Sequence, residues 1–269
     1  MSHPEKGGAG SAPAQSELWG GRARDWADVQ EPIARPLYEA VLNKANVGRG
    51  TSVLDVGCGA GRFCQLAAGK GAAVTGFDAT PALIAIAKER MPAGDFCVGD
   101  METLPYADDS FDVVTGFNSF QYAANPVNAL KEARRVAKKG SPVFIATWGK
   151  PEDCQAAAYL AALGKLLSPP PPGAPGPFAL SAEGALEALA KRAGLAPKEV
   201  ESVDMPFEYP DLATALRGLL SAGPAVKAIE IWGEDRVREA VFELLETFRQ
   251  PSGGFVMNNK FIYLAALAQ

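Results

Sequence analysis

Apolar positions recur along this chain in two rhythms. Short continuous apolar runs at Ser52–Val56, Ala72–Phe77, Phe96–Gly99, Phe111–Gly116 and Val143–Thr147 are bounded by Gly, Asp or Pro, which suits strands buried on both faces. Between them the period changes to that of a helix. Arg62–Lys70 offers Phe63, Leu66 and Ala67 on one side. Thr80-Pro81 supplies an N-cap and a first-turn proline for a helix carrying Leu83, Ile84 and Ala87. Asn125-Pro126 does the same for a helix striped by Val127, Leu130, Ala133 and Ala137 and stopped at Gly140. Strands alternating with helices predict an α/β fold with a doubly wound parallel sheet. A sixth strand over Lys198–Phe207 and a last, antiparallel one over Lys260–Leu267 complete a seven-stranded, mostly parallel, Rossmann-like sheet.

The remaining segments read differently. Residues 1–16 are polar and rich in Gly, Ala and Ser, and are expected to form a disordered tail. Residues 17–50 form an N-terminal helical cap: Trp19 and Trp26 precede breaks at Pro32 and Pro36, and Leu37, Tyr38, Val41, Leu42 and Ala45 then recur at helical spacing. This segment covers the sheet as core, closes over a ligand as a flap, or does both. Residues 51–150 carry the strand–helix alternation. Residues 151–269 hold the rest of the sheet with helical lid insertions at about 151–180 and 211–250. The stretch Ser168–Pro177 has six prolines and reads as a connector. Ser181–Ala193 is expected to be helical, Asp211 to open further helices, and Glu234–Phe248 to bury Val237, Val241, Leu244, Leu245 and Phe248. The aromatics in or near the insertions, Tyr159, Phe178, Tyr209 and Trp232, are read first as core.

Composition narrows the chemistry. With 269 residues, 48% of them hydrophobic, the chain can bury a full core, and no apolar run reaches the roughly 20 residues of a membrane span. The first residues lack the apolar centre of a signal peptide, so a cytoplasmic location is expected, without a membrane partner. A formal charge of −5 and a pI near 5.1 argue against nucleic acid as a partner. Cys58, Cys64, Cys97 and Cys154 show no C-x-x-C spacing and read as reduced thiols. The only histidine, His3, lies in the tail, which removes a histidine base and a His-ligated metal from the folded part. No metal is expected.

The chemistry concentrates after the first strand. Val53-Leu-Asp-Val-Gly-Cys-Gly-Ala-Gly61 has the form D-x-G-x-G-x-G, with Arg62 where a dinucleotide fingerprint needs its third glycine. Asp55 before the loop would repel a pyrophosphate and attract a cation. Asp78 ends the second strand 23 positions on, near the offset of about 20 at which a βαβ unit places an acid on a ribose. Asp100 ends the third strand.

This segment resembles motif I of the class I S-adenosylmethionine-dependent methyltransferases, of the small-molecule, ubiquinone-biosynthesis-like branch, and the likeness is specific over roughly residues 50–150. Gly99-Asp-Met-Glu-Thr-Leu-Pro-Tyr106 resembles the family's adenine-side segment, and Phe111–Gly116 fits its next strand. The resemblance implies S-adenosyl-L-methionine as cofactor, S-adenosyl-L-homocysteine as product and a small-molecule methyl acceptor. It assigns the cofactor to Asp55, Gly57, Cys58, Gly59, Gly61, Asp78, Ala79, Asp100, Met101 and Asn118, with Asp78 on the ribose, Asp100 and Met101 on the adenine and Asn118 at the methionine end. Asn118-Ser-Phe-Gln121 departs from the Asn/Asp-Pro-Pro-aromatic signature of base-directed amino-methyltransferases. Gln121 stands near where many small-molecule relatives have a histidine. The catalytic residue stays open, with Tyr38, Gln121, Tyr122, Glu208 and Tyr209 as the candidate polar groups. A homodimer stays open. Two other readings remain beside methyl transfer: a module that binds the cofactor without catalysis, and an NAD(P)-dependent oxidoreductase.

Overall fold

The computed structural model describes residues 10–167 and 176–269, so most of the proline-rich connector lies outside the described residues. Strands β1 (Ser52–Val56), β2 (Ala73–Asp78), β3 (Asp95–Val98), β4 (Val113–Phe117) and β5 (Pro142–Trp148) pair in parallel. With β6 (Leu195–Asp204) and β9 (Lys260–Ala268) they form one seven-stranded sheet in the order β3-β2-β1-β4-β5-β9-β6. Strand β9 runs antiparallel to both neighbours. The chain winds outward from β1 through β2 to β3, then returns to place β4 on the other side of β1. That reversal opens a crevice at the carboxyl edge between β1 and β4, where open α/β sheets bind ligands.

The helices follow in chain order. Helix α1 (Ala12–Gly20) and the single turn α2 (Ala23–Asp25) lead into a π-turn at Trp26–Gln30, a 3-10 turn at Glu31–Ala34 and α3 (Arg35–Lys44). Helices α4 (Arg62–Gly69), α5 (Pro81–Arg90) and α6 (Pro126–Val136) connect the parallel strands; α7 (Ala156–Leu166) and α8 (Ala185–Arg192) precede β6. A small hairpin-like pair, β7 (Phe207–Tyr209) with β8 (Phe255–Met257), brackets α9 (Leu212–Leu220), α10 (Gly223–Trp232) and α11 (Glu234–Glu246). One face of the sheet buries Leu37, Val41, Phe63 and Phe144 together with Leu163, Leu219 and Val241 of the added helices. The other buries Leu54, Val114 and Ile145 under Leu130 of α6 and Leu189 of α8. Among the described residues no helix is long and apolar enough to cross a membrane. The four cysteines are free thiols.

Several local expectations shift. Helix α1 starts at Ala12, inside the stretch whose composition suggested a tail, because Trp19 packs edge-on against Trp26 at 4.7 Å and draws the helix onto the body. The sixth strand ends at Asp204 and not at Phe207: Met205-Pro206 interrupts the ladder, and Phe207–Tyr209 leaves to pair with β8. On α6 the buried positions are Ala129, Leu130, Ala133 and Val136, while Ala137 is already extended and pairs with Phe111. Asn125 caps α6 by accepting from the backbone N–H groups of Val127 and Asn128, and Asp211 caps α9 by accepting from Thr214. Thr80 makes no side-chain cap for α5; Asp78 accepts from the Thr80 backbone N–H instead.

Candidate active site

A cavity runs along the carboxyl edge of the sheet. The tips of β3, β2, β1, β4 and β5 and the start of β9 all reach it, through Asp100, Asp78, Gly57, Asn118, Trp148 and Phe261. At about 4.8 Å between strands, these six tips span roughly 24 Å. Helix α1 roofs one end through Ser11, Ala12, Gln15 and Trp19; α7, α9 and the segment before β7 roof the other through Tyr159, Leu219 and Met205. The backbone at Gly10 lies so close to Asp100 that a Cβ there would come 1.8 Å from its Oδ2.

The glycine loop explains its own composition. Gly57 sits at φ +79°, and a Cβ there would meet Ser119 Cβ at 2.3 Å, so the β1 and β4 tips approach only with glycine present. Gly61 begins α4 at φ +81°. The loop is locked from two sides. Asp78 accepts from Gly59 N–H at 2.9 Å and from Thr80 N–H at 2.8 Å, which ties β1 to β2. From the N-terminal segment, Glu31 Oε1 accepts from Ala60 N–H at 2.8 Å and from Arg62 N–H at 3.4 Å. Arg90 holds Glu31 in turn at 2.5 Å and donates to the carbonyls of Ala60 and Ala27 at 2.9 and 2.5 Å. Burial pushes the Glu31 carboxyl upward, and Arg90 pulls it back. The Glu31–Arg90 clip spans 59 positions, and no local pattern in the sequence marks it.

Of the residues singled out from sequence, Gly57, Cys58, Gly59, Asp78, Ala79, Asp100, Met101, Asn118, Tyr38 and Tyr122 line the cavity together. Asp55 and Gly61 stand behind it. Asp55 is buried, its Oδ1 accepting from Thr115 Oγ1 at 2.8 Å, and burial lifts its carboxyl to about 7. Among the acceptor-side candidates, Gln121 donates to Asn118 Oδ1 at 2.5 Å and to Thr147 Oγ1 at 3.3 Å, so it braces the site from beneath. Tyr209 is buried and donates to Gln30 Oε1 at 2.8 Å. Glu208 is exposed: it points outward from the short β7–β8 pair, where side chains alternate. These three do not line the cavity. Tyr122 is half-buried beside Asn118, and desolvation pushes its hydroxyl up to about 12. Burial also raises the Tyr38 hydroxyl, with Glu31 and Asp55 adding to the effect. Asn118 holds φ +50°, an uncommon conformation for a residue with a side chain, at the end of β4.

The donor set decides what fits the β3–β2–β1 end. Among the described lining residues the ionisable groups other than thiol and phenol are Glu31, Asp78 and Asp100, with no Lys, Arg or His. The N–H groups at the start of α4, which would otherwise bind a phosphate, are occupied by Glu31. A pyrophosphate finds no anion site here. A nucleoside bearing an ammonium and a sulfonium meets carboxylates at two neighbouring strand tips, which fits.

Comparison with known proteins places these features in context. A family profile described as a methyltransferase domain matches residues 54–145. Malonyl-[acyl-carrier protein] O-methyltransferase of Erwinia pyrifoliae is 30% identical over 203 residues, covering 76% of this chain and 73% of that protein. Demethylmenaquinone methyltransferase of Renibacterium salmoninarum is 36% identical over 111 residues, 41% of this chain and 47% of that protein, so this second match spans about half of the relative. Among solved structures, the YcgJ protein of Bacillus subtilis shares the fold with a TM-score of 0.59 at 22% identity, covering 86% of this chain and 97% of that one.

Proposed function

The chain belongs to the class I S-adenosylmethionine-dependent methyltransferases, and from that premise we propose that its cavity holds the cofactor along β3, β2 and β1 and a small-molecule acceptor from β4 onward. The observation that carries this division is the distribution of charge. Carboxylates stand at the β2 and β3 tips, and aromatic side chains take over at β4, β5 and β9. Asp78, pre-set by Gly59 and Thr80, keeps lone pairs for two ribose hydroxyls. In this reading Asp100 and Met101 meet the adenine edge, and Asn118 the methionine end beside the acceptor.

The cofactor, when bound, supplies an electrophilic methyl on a sulfonium. The chain's own contribution is alignment and exclusion of water by the roofs of α1, α7 and α9. Positioning alone is worth about 7–11 kcal/mol in favourable cases. Calorimetry with S-adenosylhomocysteine tests the first half: Asp78→Ala is expected to weaken binding about tenfold or more, the loss of a charge-assisted hydrogen-bond pair. Unchanged affinity would remove the ribose assignment. The second half is read by incubation with methyl-labelled cofactor and candidate acceptors. Gln121, tied to Asn118 and Thr147, leaves that position without a base, which favours a non-catalytic binding module as the second reading. Retained cofactor binding without transfer to any acceptor would support it.

A further inference from the structure

The charges around the glycine loop do not balance. Glu31 and Asp55 are 3% and 2% exposed, and Asp78 is half-buried at the cavity wall. These carboxyls meet along one short stretch. Glu31 accepts from Ala60 N–H, Asp78 accepts from the neighbouring Gly59 N–H, and Asp55 stands on β1 two residues before Gly57. Among the described residues Arg90 is the cation in contact with them, and it is committed to Glu31 and to the carbonyls of Ala60 and Ala27. Arg62 turns its guanidinium to Gln65 Oε1 at 3.3 Å.

Asp55 is the member left without a counter-charge. From β4, Thr115 Oγ1 donates to it at 2.8 Å, and from α4 the Cys64 thiol lies 3.9 Å from its Oδ2. The loop adds the Cys58 thiol, β2 adds Asp78, the N-terminal segment adds Glu31 and α3 adds the Tyr38 hydroxyl. None of these is a cation, and Glu31 and Asp78 both oppose a charge on Asp55. A carboxylate so buried takes up a proton sooner than it stays charged, in keeping with its lift to about 7. The cavity floor at Gly57 stands about 7 Å along β1 from Asp55, and Thr115 precedes Asn118 by three residues on the facing strand tip. A cation resting on that floor is about 10 Å from the carboxyl. At an effective dielectric of about 20, a unit positive charge at about 10 Å raises a carboxyl's ionisation constant more than tenfold.

We propose that Asp55 holds a proton in the free protein and releases it when the sulfonium of the cofactor settles between the β1 and β4 tips, so that the site exchanges a proton for the cofactor's charge. The inference rests on the cofactor reading above. Binding turns the carboxylic acid and S-adenosylmethionine into a carboxylate, a bound sulfonium and one proton in solvent. Methyl transfer then removes the sulfonium charge, because sulfur keeps the electron pair of the broken S–CH3 bond, and Asp55 takes a proton back from solvent. S-adenosylhomocysteine, whose sulfur is neutral, no longer compensates the buried carboxylate. The site therefore favours the charged cofactor over the spent one, and more strongly as pH rises.

The test uses the full chain with S-adenosylmethionine and S-adenosylhomocysteine, which differ by one methyl and one fixed charge, so that their common ionisable groups cancel. Both affinities are measured by calorimetry without any acceptor. The ratio of the first affinity to the second is expected to rise about fivefold or more between about pH 6 and about pH 8. At about pH 6.5, titrations in phosphate and in imidazole buffer are expected to show about half a proton more released by S-adenosylmethionine. Asp55→Asn is expected to hold the ratio within about twofold across that range and to remove the extra proton. Thr115→Val keeps the shape and takes a donor from the carboxylate, so it is expected to move the rise to higher pH. This second variant covers the case in which the first does not fold. A wild-type ratio constant within about twofold, or equal proton counts for the two ligands, overturns the exchange. A folded Asp55→Asn chain that keeps the rise overturns the assignment to Asp55. Failure of both ligands to bind overturns the cofactor reading beneath it as well.

Discussion

The Glu31–Arg90 clip is the strongest single test of how the N-terminal segment is held to the glycine loop. The side chain of Glu31 is 3% exposed and that of Arg90 19%, with 2.5 Å between them. Arg90→Met keeps the aliphatic stem and removes the cation. Glu31 then remains buried with only the Ala60 and Arg62 N–H groups as partners, and the carbonyls of Ala27 and Ala60 lose a donor. Removing one member of a buried pair costs roughly 3–5 kcal/mol, and we expect that loss in urea unfolding followed by far-UV circular dichroism near neutral pH. The sign of its pH dependence follows from Glu31. Its folded carboxyl lies above the unfolded value because of burial, so its contribution is complete below about pH 4 and is lost as pH rises through the folded value. Without Arg90 the carboxyl moves higher still, so the deficit of the variant should widen from acid to neutral pH. Adding Glu31→Gln removes the stranded charge and should recover about half of the loss or more. A deficit below about 1 kcal/mol, or one that does not change with pH, would refute the argument that the pair is a desolvated clip.

Other consequences are as direct. Asp55, lifted to about 7 by burial, binds a proton in the folded state that the unfolded chain has released above about pH 4. Stability should therefore fall between those values, and Asp55→Asn should be closer to wild type, or below it, at about pH 5 and gain on it at about pH 8; parallel urea midpoints at both would contradict this. Gly57→Ala, with a Cβ at 2.3 Å from Ser119 and φ +79°, should cost at least about 2 kcal/mol in thermal or urea unfolding. Asp211→Ala, removing the cap on Thr214 N–H, should lower the urea midpoint without changing cofactor affinity in calorimetry.

The sheet was legible because its signals are local. Each of β1 to β5 is a short apolar run with punctuation at both ends, and the loop after β1 announces itself through glycines that the close contact with Ser119 demands. Asp78 and Asp100 were reachable because a strand tip is a fixed place in a repeating unit. Glu31 was not, since its role comes from Ala60, Arg62 and Arg90 meeting it across the fold. The same holds for Gln30, one residue earlier, oriented by Tyr209 from 179 positions away. Glu208 and Tyr209 were both candidates, yet β7 is a strand, so one turns inward and the other outward. The break at Met205-Pro206 was visible as a proline but was absorbed into a strand read through to Phe207.

Three of the four tryptophans, Trp19, Trp26 and Trp148, border the cavity, and Trp232 lies on the surface. The protein therefore carries its own pair of dyes: the indoles of Trp19 and Trp26, 4.7 Å apart, report on the end of the cavity under α1, and Trp148 on the end at the β5 tip. Emission from chains keeping only one of these two sets would time the arrival of each ligand separately, and so give the order in which they enter.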